Sequence, residues 1–154
     1  MHFNSAPILT EVTELSFSAI NQMLDESGRA GYQFIQRTID DWQNQTNKFS
    51  GRGEKLWGLF LGSDMIGICG LNKDPYTREP NVGRVRHLYI MEAYRRKGYA
   101  TLLINMILHE GKQHFNSLRL FTDNPSAAKF YEKLGFQSVN GDKVSHIFIF
   151  ERGR

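Results

Sequence analysis

Residues 82–108, VGRVRHLYIMEAYRRKGYATLLINMIL, constrain this chain more than any other stretch. Val82, Val85, Leu88 and Ile90, with Tyr89 among them, form a β-rich apolar run that reads as a strand. Arg95, Arg96, Lys97, Gly98, Tyr99 and Ala100 follow as a basic turn. Leu102, Leu103, Met106, Ile107 and Glu110 then recur at helical spacing, so most of one helix face is apolar and fits against a sheet. In the order strand, glycine-containing basic turn, helix, backbone N–H groups, helix dipole and positive side chains converge on one anion. The stretch reads as a diphosphate site. Gly98 lets the backbone approach an anion closely, Ala100 keeps the helix start free of bulk, and Arg96 and Lys97 add charge. An isolated RRKG would be an ordinary solvated loop; the flanking apolar strand and amphipathic helix argue otherwise. A Rossmann site needs three glycines and an acid about twenty residues on. Here one glycine stands in the turn, and Leu118, Arg119 and Leu120 occupy that distance.

The rest of the chain sets limits. Its 154 residues suit a single domain, expected over 1–154. One cysteine, Cys69, allows no internal disulfide and no second thiolate for a zinc site, so no metal is expected and a reducing cytoplasm is the natural home. The opening MHFNSAPIL lacks a basic segment followed by a long apolar core, and no apolar run is long enough to span a bilayer, so neither leader nor membrane anchor is expected. A net charge of +3 fits a solvated surface slightly rich in Arg better than a nucleic-acid partner.

In order, residues 7–12 read as a strand and 17–24 as a short helix ending near Gly28. Phe34, Ile35, Ile39 and Trp42 make 32–45 an amphipathic helix. Residues 56–61 and 65–71 read as an antiparallel hairpin, and a loop holding Pro75 and Pro80 leads into the central strand. Residues 118–122 are a short buried strand. Asn124 and Pro125 open a helix that stops at Gly135, and 136–139 and 144–150 form a closing hairpin turning at Asn140-Gly141. The sum is an α/β (α+β) sheet covered by helices.

Two separated motifs carry a family resemblance. The turn RRKGYA resembles the acyl-CoA pyrophosphate loop of the GNAT superfamily of N-acetyltransferases, matching at Arg95, Gly98 and Ala100. The segment NPSAAKFYEKLGF resembles a later stretch of the same family, matching at Asn124, Ala127, Phe130, Tyr131, Gly135 and Phe136. The resemblance implies a mixed, mostly antiparallel six- to seven-stranded sheet with helices on both faces and a splayed central strand pair. It implies acetyl-CoA as cosubstrate, held along Leu88, Tyr89 and Ile90 and at Arg95, Arg96, Lys97, Gly98, Tyr99, Ala100 and Thr101. Leu88 and Ile90 would also pack in the core. Asn124 would touch the cofactor, or serve only as a helix N-cap.

Tyr131 carries over as the general acid. A phenol, with an ordinary pKa near 10, keeps its proton at neutral pH and can give it to a departing thiolate; outside this context it would be a core tyrosine beside Phe130. Some family members have a glutamate before the Asn, where this chain has Leu118, Arg119 and Leu120, so the base is unassigned. His87 is the first candidate, its free pKa lying near 6.5; Asp123, His146 and a water chain follow. Arg84 and Arg86, two apart on a strand, would project together and hold a substrate carboxylate or phosphate, or pair with Asp74, Glu79 or Glu92. The expected activity is transfer of acetyl to a primary amine of a small molecule, peptide or protein, with a homodimer allowed by family habit. The alternative is a catalytically silent CoA-binding sensor or interaction domain of the same shape.

Overall fold

The computed structural model describes residues 6–152. Met1 to Ser5 of the opening stretch, and the last two residues of the expected 1–154 domain, lie outside them. Seven strands and four helices follow the order β1 (Ile8–Glu11), α1 (Phe17–Arg29), α2 (Phe34–Gln43), β2 (Lys55–Leu61), β3 (Asp64–Lys73), β4 (Val82–Ile90), α3 (Tyr99–His114), β5 (Ser117–Leu120), α4 (Pro125–Lys133), β6 (Gln137–Gly141) and β7 (Val144–Ile149). A single turn of 3-10 helix, Glu92–Tyr94, links β4 to the basic turn. The strands form one sheet in the order β1-β2-β3-β4-β5-β7-β6. Every pairing is antiparallel except β4 with β5. The expected mixed sheet with helices on both faces is therefore the observed fold.

Alternation along the strands fills two cores. Leu59, Leu71, Val85 and Leu118 meet Leu103, Ile104 and Ile107 of α3 on one face. Ile68, Leu56 and Tyr89 meet Ile20 and Met23 of α1 and Ile35 and Ile39 of α2 on the other. Leu103, Ile104 and Ile107 are fully buried, worth about 1.5–3 kcal/mol each before entropy is charged. Helix α3 begins at Gly98 with no side-chain cap bond, which costs roughly a few tenths of a kcal/mol against a capped start. Packing dominates, so the head of α3 stays free for a ligand without loss of the helix.

Several boundaries move. Helix α1 ends at Arg29, one residue past the expected stop near Gly28, with Met23 and Ser27 on its buried side. The closing hairpin does not turn at Asn140-Gly141: Gly141 pairs with Val144, and Asp142 and Lys143 make the turn. Closing at Asn140-Gly141 would shift the Ser138↔His146 register by an odd number of residues and send the inward set outward. Strand β5 stops at Leu120 rather than at Thr122, which opens the site described next.

Candidate active site

Strands β4 and β5 pair only from Val82↔Ser117 to Arg84↔Arg119. Residues 85–90 of β4 then run on with no strand partner on that side among the described residues. A bulge sharpens the divergence: between Gly70↔Arg86 and Ile68↔Tyr89, Cys69 of β3 faces both His87 and Leu88 of β4, and His87 takes a left-handed conformation with φ 63°. The space opened is a cleft of about 630 Å3, within the range of small-molecule sites. One wall is 85–90 of β4, the other is 120–124 with Ala127, Phe130 and Tyr131 of α4, and Tyr32 and Phe34 of the α1–α2 corner roof it.

The cleft brings together Arg86, His87, Leu88, Tyr89, Ile90, Arg95, Ala100, Asn124 and Tyr131. Arg96, Lys97 and Gly98 are exposed beside Ala100, whereas Tyr99 and Thr101 are half-buried and off the lining. The turn itself curls through two left-handed residues, Arg96 (φ 64°) and Gly98 (φ 84°), a backbone form found in anion-binding concavities. A Cβ on Gly98 would meet no protein atom within 4 Å. The glycine therefore answers a dihedral requirement, and the space above it is open.

Arg95 is held differently from its neighbours. Its Nε donates to the carbonyl oxygen of Ile90 at 2.8 Å, its guanidinium stacks on Tyr89 at 5.2 Å, and Glu26 lies 3.9 Å away. Glu26 of α1 also accepts from the Tyr89 hydroxyl at 2.6 Å and the Glu92 amide at 2.9 Å. The Arg95 side chain thus braces the end of β4, and Arg96 and Lys97 have no ion-pair partner among the described residues.

Tyr131 is buried, with its ring 5.2 Å from Phe130 and 5.4 Å from Phe136. Burial, and secondarily Cys69, push its phenol above the ordinary value. Asn124 caps α4: its side-chain oxygen accepts from the Ser126 and Ala127 amides at 2.9 and 3.1 Å. The capping alternative is satisfied at the same time as Asn124 lines the cleft.

Two expectations need correction. Arg84 is buried away from the cleft: its guanidinium lies 3.6 Å from Asp74, donates to the Lys143 carbonyl and stacks on Tyr76 at 4.6 Å. Burial lowers its pKa, and Asp74 partly restores it. It is a structural cation and does not join Arg86. His87 lines the cleft, stacked on Phe34 at 5.8 Å, but burial and then Arg86 and Arg37 hold its pKa at about 3. An imidazole so weakly basic is a poor acceptor for an ammonium proton. His146, the more remote candidate, is buried on β7 with its Nε2 at 2.8 Å from Glu132 and its Nδ1 at 2.9 Å from the Ser145 hydroxyl.

Sequence reasoning missed Glu26, Tyr32 and Phe34. Phe34 was visible only as part of an apolar helix face, and nothing local marks Glu26 or Tyr32 as neighbours of β4. Among the described residues no cluster of His, Cys, Asp or Glu could hold a metal, and no helix is long and apolar enough to cross a membrane.

The sequence model of the Acetyltransferase (GNAT) family matches residues 17–136. A structure from Exiguobacterium sp. 255-15, assigned to the acetyltransferases, superposes with a TM-score of 0.84 at 23% identity, covering 94% of each chain. A GNAT family acetyltransferase from Streptococcus pneumoniae gives 0.64 at 14% identity over 94% of this chain and 99% of its own. A third, from Elizabethkingia anophelis with acetyl-CoA bound, gives 0.56 at 14% identity over 89% of this chain and 80% of its own.

Proposed function

Because the chain belongs to the GNAT acetyltransferase family, we propose that it moves the acetyl group of acetyl-CoA to a primary amine by direct attack in a ternary complex. The observation that carries this reading is the divergence of β4 from β5, which leaves strand amides beside a buried phenol at the head of an uncapped helix. The 96–98 turn and the first amides of α3 would take the pyrophosphate. The free edge of β4 at Leu88 to Ile90 would pair with the pantetheine amides and polarise the thioester carbonyl, as preorganised donors do for a developing oxyanion.

In the reaction the amine nitrogen bonds to the thioester carbon and the carbon–sulfur bond breaks. The ammonium gives one proton to water before it attacks, the nitrogen gives up a second as the adduct collapses, and Tyr131 supplies one to the sulfur and regains one from water. A phenol raised by burial would be a reluctant donor to a thiolate in water. The sulfur would leave along the apolar wall formed by Ala127, Phe130 and Tyr131, where desolvation raises the proton affinity of a thiolate as it raises that of the phenol. With His87 depressed, deprotonation of the amine falls to water in the cleft, and alignment of the two reactants supplies the remaining advantage.

Calorimetry with CoA and acetyl-CoA, followed by a free-thiol assay over an amine panel, tests the reading. The expected result is binding of both and release of thiol with at least one amine. Binding without transfer to any amine would favour the silent sensor domain. Indifference to CoA would end both.

A further inference from the structure

We propose that the acceptor amine also carries an anionic group, a carboxylate or a phosphate, and that Arg86 receives that group on the α1–α2 side of β4. The inference rests on the acetyl-transfer reading above and adds the acceptor's charge. Its ground is the fate of each arginine near the cleft. Along β4, Gly83 and Val85 turn toward the α3 side, where Gly83 abuts Leu118 and Phe115. Arg84 and Arg86 take the opposite face. The bulge then keeps His87 on that face, stacked on Phe34, with Tyr89 next in the α1–α2 core.

Arg84 is consumed by Asp74 and Lys143, and Arg95 by Ile90 and Glu26. Arg86 lines the cleft half-buried and makes no ion pair or hydrogen bond among the described residues. Arg37 of α2, exposed and likewise without an ion-pair partner among them, lies near enough to act on the same histidine. The one acid on the lining, Asp123, stands on the far wall between β5 and α4. A half-buried guanidinium in a cleft that Tyr32 and Phe34 also line gains most from an anion that binds it through two parallel hydrogen bonds. An amine with no anion would meet net repulsion from Arg86 and Arg37. One that brings its own anion arrives neutral or negative overall, and Arg86, by pairing with that anion, offsets its pull on the ammonium, which then gives up its proton more readily than with the anion unpaired.

The test uses amines paired so that only the anion differs: phenylalanine with phenylalaninamide, and 2-aminoethyl phosphate and glucosamine 6-phosphate with 2-aminoethanol and glucosamine. Each is titrated into CoA-saturated protein. In at least one pair the anionic member is expected to bind about tenfold or more tightly, with carboxylate and phosphate pairs telling which anion fits. R86Q should abolish that preference and R86K restore part of it. If R86Q does not fold, the salt dependence decides: the anionic member's affinity should fall with ionic strength and its partner's should not. Equal binding within every pair, no binding by any member, a preference that survives R86Q, or salt-independent affinity overturns the proposal. Failure of CoA to bind would instead sink the acetyl-transfer reading, and the same pairs titrated into the protein alone would still decide the anion preference.

Discussion

Tyr89 donates its phenolic hydrogen to Glu26 across 2.6 Å, tying the splayed end of β4 to helix α1. Since Glu26 also accepts from the Glu92 amide, one carboxylate fixes the strand edge and the entrance to the basic turn together. Glu26→Ala should cost about 1.5–3 kcal/mol in urea unfolding, the usual worth of hydrogen bonds to a charged group, and weaken CoA binding several-fold by loosening the turn. Burial, and then Glu26, push Tyr89 up to about 12. The native state therefore holds this proton more tightly than the unfolded chain, so its contribution is complete below about pH 10 and is lost as pH rises toward 12. That alkaline limb should be smaller in the variant and end nearer pH 10.

Tyr131→Phe keeps the ring contacts with Phe130 and Phe136 and removes only the proton donor. The turnover number should fall about 100-fold or more while acetyl-CoA affinity, read by calorimetry, stays as in the parent. Unchanged turnover would take Tyr131 out of the chemistry.

Arg84→Ala strands the buried Asp74 without its cation. A loss of about 3–5 kcal/mol is expected by chemical denaturation, as for other buried pairs broken from one side. Because Arg84 lies off the cleft, KM for an accepted amine should stay within the error of the assay, in contrast to R86Q.

His87→Asn retains a residue tolerant of the left-handed conformation and removes the imidazole. With a folded pKa of about 3 against 6.5 unfolded, the native state binds fewer protons across that interval. His87 therefore makes the protein lose stability as pH falls from about 6.5 toward 3, and the variant should show a shallower acid limb. If His87 does not act as base, any acid limb of the kcat/KM profile near pH 6.5 should persist in His87→Asn; its disappearance would reinstate the histidine.

What the sequence made legible was local. The run from Val82 through Ala100 to Ile107 carries strand, turn and helix signals within one contiguous stretch, and Asn124-Pro125 marks a helix start by its own capping chemistry. What it hid depends on distant segments meeting. Glu26 is separated from Tyr89 by 63 residues, and Tyr32 and Phe34 reach the cleft only because α1 and α2 fold across the sheet. The bulge at His87 and Leu88 leaves no compositional trace, since it is a relation to Cys69 on the neighbouring strand, and only the family resemblance implied a splayed central strand. Arg84 and Arg86 read alike as a two-residue repeat, yet a carboxylate from the preceding loop claims one and leaves the other.

The short register from Val82 to Arg84 means that seven strands form two leaves joined at a seam. Along the rest of that seam, main-chain donors and acceptors inside the molecule await water or a guest. A guest bearing amides would act as a stitch, so cohesion between the leaves should grow with its concentration, and heat should part them later in the loaded protein than in the empty one.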